Sequence, residues 1–195
     1  MNSPLAGKWN QRYLITPDYT TLAPAAILAE NQFLLPPTGT ALDLASGFGA
    51  NALLLAKQGL TTQAWDISSI AMRHLQQQVD AHALAIKTYT REISPQSFSA
   101  NTFDVIVVSR FLDRSICDAI MESLKIGGLL FYQTYTQLKT CEQGPNNPRF
   151  LLAENELLAL FSSLKPVYYR ENGVLGEVRQ GLRNEAQFIG QKIEL

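Results

Sequence analysis

Between residues 40 and 58 an apolar run, a glycine turn and a run rich in Ala and Leu follow one another without a break. Thr40-Ala41-Leu42-Asp43-Leu44-Ala45 reads as a short buried strand, Ser46-Gly47-Phe48-Gly49 as the turn, and residues 50–58 as a helix closed by Gly59. Glycines at such a junction let the chain turn sharply and let a ligand lie close to the backbone. The helix behind offers free N–H groups and the positive end of its dipole.

The alternation continues down the chain. A second strand over 61–65 is closed by Asp66, and a helix over 68–83 begins with Ser68 or Ser69 as its cap. Strands follow at 85–90 and 103–108, the latter β-branched and therefore central. A helix over 115–124 ends in Lys125-Ile126-Gly127-Gly128, and a fifth strand covers 129–134. A polar loop over 136–149 leads to a helix over 154–162. Strand-like segments at 166–170 and 185–193 follow, joined by a Gly-rich 172–184 that suits a hairpin; the second of them alternates. The pattern predicts an α/β fold: a doubly wound, mostly parallel seven-stranded sheet with helices on both faces and the last strand antiparallel. Upstream, 8–13 reads as a short helix, Pro17 and Pro24 bracket a turn, and 25–34 is a helix ended by Pro36, Pro37 and Gly39. A length of 195 residues fits one such domain, 1–195, with 1–38 as a helical cap on a 39–195 core.

Composition removes several classes. A formal net charge of -1 lacks the basic excess of a protein that grips phosphates, so nucleic acid ranks low as a partner: no DNA is expected and RNA is disfavoured. Cys117 and Cys141 are too few for a disulfide framework and too far apart for a metal knuckle. No cluster of His, Cys and carboxylate has ligand spacing, and His74 and His82 read as ordinary helix residues, so no metal is expected. The first residues lack the apolar core of a signal peptide, and no apolar run approaches the roughly 20 residues of a membrane span. A cytoplasmic location without membrane contact is expected.

The chemistry turns on two acids. Asp66, at the end of strand two, stands where a carboxylate can accept the hydroxyls of a ribose. Gly47-x-Gly49-x-x-Ala52 with Asp66 downstream formally fits a dinucleotide site. Asp43 separates the alternatives: a carboxylate before the turn is a poor neighbour for a pyrophosphate and a good one for a ligand with cationic ammonium and sulfonium groups. Asp43 can also bond local backbone N–H groups, and the two roles can coexist.

Leu42-Asp43-Leu44-Ala45-Ser46-Gly47-Phe48-Gly49 resembles the first motif of class I, Rossmann-like S-adenosylmethionine-dependent methyltransferases. Asp66-Ile67-Ser68, Arg91-Glu92-Ile93, Phe103-Asp104-Val105-Ile106-Val107 and Leu124-Lys125-Ile126-Gly127-Gly128-Leu129-Leu130 are similar to its later motifs, in order, over residues 8–161. Trp9-Asn10-Gln11-Arg12-Tyr13 and Pro148-Arg149-Phe150-Leu151-Leu152 resemble the small-molecule branch related to tellurite-resistance methyltransferases.

The resemblance implies a methyltransferase with S-adenosyl-L-methionine as co-substrate. It implies approach of the cofactor at Ala45, Gly47 and Gly49, with Asp43 at its cationic end and Asp66 and Ile67 at the ribose. Glu92 and Ile93 would flank the adenine. Arg12 would pair with the cofactor carboxylate, from an N-terminal segment covering that end. Ser109 would face the methyl group, with Arg110 and Tyr135 as the catalytic candidates on the acceptor side. Arg114 and Arg149 could also attract an anionic acceptor. The acceptor expected is a small molecule: a thiol, a metalloid or another nucleophile. The rival readings are an NAD(P)-dependent oxidoreductase, which leaves Asp43 unexplained, and a non-catalytic cofactor-binding module. The residues leave the oligomeric state open.

Overall fold

A computed structural model describes residues 3–15 and 22–194. The strands are β1 Gly39–Leu44, β2 Leu60–Asp66, β3 Ile86–Thr90, β4 Phe103–Ser109, β5 Leu124–Tyr135, β6 Lys165–Glu171 and β7 Glu185–Gln191. They form one seven-stranded sheet in the order β3-β2-β1-β4-β5-β7-β6. Neighbours from β3 to β5 pair parallel, and β7 runs antiparallel to both β5 and β6. The helices are α1 Pro4–Leu14, α2 Ala26–Glu30, α3 Ala50–Lys57, α4 Ser69–His82, α5 Cys117–Ser123 and α6 Glu156–Leu160. The expected sheet is the one found.

The core divides by strand parity. Ala41, Val105, Val107 and Phe131 meet Ile27 and Leu28 of α2 and Leu55 of α3 on one face, where Ala64 also meets α4. Leu42, Leu44, Ile106, Val108, Leu130 and Tyr132 meet Ile120 of α5 and Leu157 of α6 on the other. β4 is central, and the run Val105-Ile106-Val107-Val108 is apolar without alternation because both of its faces are covered. β7 shows why an alternating pattern can mislead. It lies between β5 and β6, so both sides are buried and its polar Gln187 takes part in a buried bond network.

Several boundaries differ from expectation. Asn31 bonds back to Ile27 O at 2.8 Å, and α2 gives way to a 3-10 turn at Gln32–Leu34. The expected helix over 115–124 opens as a 3-10 turn at Arg114–Ile116. β5 begins at Leu124 rather than 129, because residues 125–128 bulge outward opposite Asp104. Lys125 Nζ bonds Asp104 Oδ2 at 2.7 Å there, and Gly128, where a Cβ would meet Lys125 O at 2.9 Å, brings the chain back. Asn155 in a left-handed conformation starts α6 two residues late. The turn bracketed by Pro17 and Pro24 lies partly outside the described residues.

Phe161 is fully buried, with ring centroids 5.3 Å from Tyr132 and 5.8 Å from Phe188. Phe161→Ala should lower stability by about 3–5 kcal/mol. Chemical denaturation checks this, and a loss under about 1 kcal/mol would mean that the α6 face can refill the space.

Candidate active site

The glycine turn leaves β1 through Ala45, whose φ of 54 is unusual for a residue with a Cβ. Ser46 N–H donates to Trp65 O at 3.0 Å and Gly49 N–H to Ser46 O at 2.8 Å, which fixes the turn against β2. Gly47 and Gly49 both take positive φ, 54 and 80. They are also crowded: a Cβ on Gly49 would lie 2.5 Å from Leu75 of α4, and one on Gly47 would lie 2.8 Å from Tyr13 Oη. α1 therefore lies over the turn. It is held by Tyr13 against Phe48, ring centroids 4.8 Å apart, and by Asn10 Oδ1 accepting from Ser68 Oγ at 2.7 Å.

Two carboxylates support this turn from within. Asp43 has no exposure at all. Its Oδ2 accepts from Ala52 N–H at 3.0 Å and its Oδ1 from Asn51 Nδ2 at 3.2 Å. Burial pushes its carboxyl up to about 7, against the pull of those two bonds. Asp66 receives Gly47 N–H on Oδ2 and Ser68 N–H on Oδ1, each at 2.8 Å, and burial raises its pKa too. The placement of Asp43 is the backbone-bonding one: the carboxylate lies beneath the turn, against the first residues of α3, and reaches the open side only through its field. Asn51 Nδ2 also donates to Ser109 Oγ at 3.1 Å, so β1, α3 and the end of β4 share one cluster.

The structure thus brings together Asp43, Ala45, Gly47, Gly49, Asp66 and Ser109 at the carboxyl ends of β1, β2 and β4. Ile67 sits half-buried beside Asp66. Ile93 packs against the α5-side core while Glu92 is exposed. Arg12 stacks over Trp9 at 5.5 Å on α1. One buried polar atom of the turn, Ser46 Oγ, has no hydrogen-bond partner among the described residues. A ligand hydroxyl, amine or carboxylate would satisfy it.

Arg110 follows β4 with φ 53, and its N–H donates to Gln133 O at 2.8 Å. Its Nε lies 3.3 Å from Glu185 Oε1; the arginine side chain is 60% exposed and the glutamate 4%. Gln133 Nε2 donates to Glu185 Oε2. Tyr135, at the end of β5, is half-buried; burial raises its hydroxyl pKa, Arg110 and Arg12 oppose this, and Glu185 adds to it. Arg114 is a correction. Its guanidinium bonds Glu156 and the carbonyls of Arg149 and Leu151, so it fastens a loop and has no fork left for an acceptor. Arg149 is exposed. Tyr132 donates to Phe111 O and belongs to the core.

Residues unmarked by the sequence reading organise much of this. Asn51 Oδ1 accepts from Ala25 N–H at 2.8 Å and Gln133 Oε1 from Ile27 N–H at 2.9 Å, so α3 and β5 together cap α2, which has no polar cap residue of its own. A Gln within the apolar run 129–134 was the available signal. Across 172–184, Arg183 gives Nε to Gln180 O, Nη1 to Gly173 O and Leu175 O, and Nη2 to Glu177 O, at 2.7–3.1 Å.

A parallel sheet extended by antiparallel β7 and by β6, with a glycine turn after β1 and an acid ending β2, is the fold of class I S-adenosylmethionine-dependent methyltransferases. Within that class, the family model described as "Tellurite resistance protein TehB" matches residues 9–189, and the chain belongs to this family.

TehB from Haemophilus influenzae superposes with a TM-score of 0.74 at 25% identity, over 89% of this chain and 64% of that one. This chain therefore spans less than two thirds of that relative's length. A SAM-dependent methyltransferase from Aquifex aeolicus gives 0.70 at 14% identity, over 94% and 98% of the two chains. Geranyl diphosphate C-methyltransferase from Streptomyces coelicolor, in complex with S-adenosyl-L-homocysteine, gives 0.68 at 12%, over 99% and 100%. No curated protein matches the sequence. Among the described residues no helix is long and apolar enough to cross a membrane, and no group of His, Cys and acids could hold a metal ion.

Gly49→Ala should lose about 1–2 kcal/mol from the left-handed backbone and about 1–3 kcal/mol from overlap with Leu75. Gly127→Ala is the control, since its φ is 83 but a Cβ there meets nothing within 4 Å. Equal losses in denaturation would show that α4 does not press on the turn.

Proposed function

We propose that this protein transfers a methyl group from S-adenosylmethionine to a small-molecule acceptor with a soft nucleophilic atom, a thiol or a metalloid. The observation that carries the reading is the turn itself. Two buried acids bracket Gly47 and Gly49 in the chain, and the adjacent Ser46 hydroxyl has no hydrogen-bond partner among the described residues. Two acids suit a ligand with cationic groups and a ribose, and they disfavour the pyrophosphate of the oxidoreductase reading. Membership of the TehB family supports the same conclusion.

When bound, S-adenosylmethionine supplies an electrophilic methyl on a sulfonium. Gly47, Gly49 and Ala45 let it lie against the backbone, and the field of Asp43 favours its cationic end. Asp66 retains lone pairs for the ribose hydroxyls, with Ile67 beside it. Glu92 and Ile93 flank the adenine, and Arg12 serves the carboxylate. Residues 1–38 act as the cap of the single 1–195 domain, and Tyr13 on α1 shields the methionine end from water. Ser109, Arg110 and Tyr135 surround the acceptor. With its hydroxyl pKa raised, Tyr135 stays protonated at neutral pH and donates a hydrogen bond; it is no base. None is needed for a soft nucleophile, since alignment alone can supply roughly 7–11 kcal/mol. The near-zero net charge disfavours a nucleic-acid partner, and we place the protein in the cytoplasm.

Calorimetry should show binding of S-adenosylmethionine and S-adenosylhomocysteine and none of NAD(H) or NADP(H); nicotinamide binding alone would overturn the reading. Asp66→Asn should weaken S-adenosylmethionine at least about tenfold, roughly one charge-assisted hydrogen bond; unchanged affinity would remove Asp66 from the ribose site.

Affinity should also depend on pH. Asp43 is protonated below about 7. A cationic ligand favours its ionised form, so binding below that pH releases a proton. Affinity should rise between about pH 6 and 8 and then level off, and Asp43→Asn should flatten the profile.

A further inference from the structure

Glu185 has no place in the cofactor half of the site, yet it is the acid most fully enclosed at the acceptor end. Its carboxylate is 4% exposed and stands opposite Tyr135 in the β5–β7 register. Burying a carboxylate is unfavourable unless it is paired and fully hydrogen-bonded. Glu185 meets that condition with one neutral donor, Gln133 Nε2, and one charged donor, Arg110 Nε. A glutamine at 185 would serve Gln133 equally well. Only Arg110 makes use of a negative charge there.

Arg110 is itself held in an uncommon state. Its backbone is left-handed and anchored to Gln133 O. It follows Ser109, which is tied through Asn51 to Asp43 under the glycine turn. Arg110 therefore lies between the cofactor half and the end of β5. With Nε engaged by Glu185, its Nη1 and Nη2 have no hydrogen-bond partner among the described residues, and the side chain remains 60% exposed. An arginine that served only to neutralise Glu185 would be expected to turn its whole fork onto the carboxylate, as Arg114 does with Glu156 through Nε and Nη2.

The residue before Glu185 belongs to the same arrangement. Asn184, 3% exposed and left-handed, accepts from Thr140 N–H at 2.6 Å and Thr140 Oγ1 at 3.0 Å, fastening the loop after β5. Two consecutive residues at the entry to β7 thus fix the segments that follow β4 and β5.

We infer that Glu185 is a positioning residue for the methyl acceptor: it holds Arg110 so that the two terminal nitrogens of its guanidinium point out as a fork for an acceptor carrying negative charge. This rests on the methyl-transfer reading above. It assigns acceptor affinity to a residue that touches neither acceptor nor cofactor.

The test is steady-state formation of S-adenosylhomocysteine by the full chain, with tellurite and mercaptoacetate, both anionic, as acceptor probes, for wild type, E185Q and E185D. S-adenosylhomocysteine affinity and thermal midpoint are measured alongside. The expected result is a KM for the working probe at least tenfold higher in E185Q, with cofactor affinity within twofold of wild type and KM partly restored in E185D. An E185Q whose acceptor KM stays within twofold overturns the inference, as does one whose acceptor and cofactor affinities fall together. Wild type that binds S-adenosylhomocysteine but turns over neither probe overturns the choice of acceptor, and the inference with it. Wild type that does not bind it overturns the methyl-transfer reading itself.

Discussion

The carboxylate of Asp43 sits below the sheet's glycine turn with no access to water, and the surrounding donors are arranged to make that tolerable. Ala52 N–H and the Asn51 amide supply the bonds. Each is a group that would otherwise go unsatisfied at a buried helix start, at about 1–3 kcal/mol apiece. The same amide continues to Ser109 and to Ala25 N–H. One side chain therefore sets where α3 begins, where β4 ends and where the N-terminal segment docks. The turn above owes its shape to this foundation as much as to its glycines.

That arrangement explains which parts of the molecule could be read from the sequence. The strand–turn–helix junction, the central position of β4 and the place of Asp66 follow from period, composition and glycine position, all of which are local signals. The 125–128 bulge and the caps on the N–H groups of α2 follow from side chains far away in sequence: Asp104, Asn51, Gln133. Nothing near Ala25 announces that residue 51 will cap it. Asp43 was legible as an important acid, but its orientation was not, because strand parity places it toward α3 only once the sheet is assembled. Among the arginines, the sequence could not separate Arg110 from Arg114; that distinction depends on Glu156 and Glu185, each more than 40 positions away.

The charges are divided by depth. The proposed cofactor half contains two buried acids, each already receiving backbone or amide donors, so it presents a negative field with little exposed anion. The acceptor half has the reverse arrangement: a buried glutamate under a half-exposed arginine, and Arg12 within electrostatic reach of Tyr135. On the proposed function, a cationic ligand and an anionic one approach from opposite sides of the Ser109–Arg110 step without competing for the same groups.

Within the segment between β6 and β7, the donors of Arg183 end on the carbonyls of Gly173, Leu175, Glu177 and Gln180. Carbonyls are common to every residue type. The loop's outline is therefore insensitive to which side chains it displays, and Val174, Leu175 and Val178 on its exposed surface are open to replacement while the path of the chain stays the same. A segment built in this way can change the surface it presents by single substitutions without a refolding step.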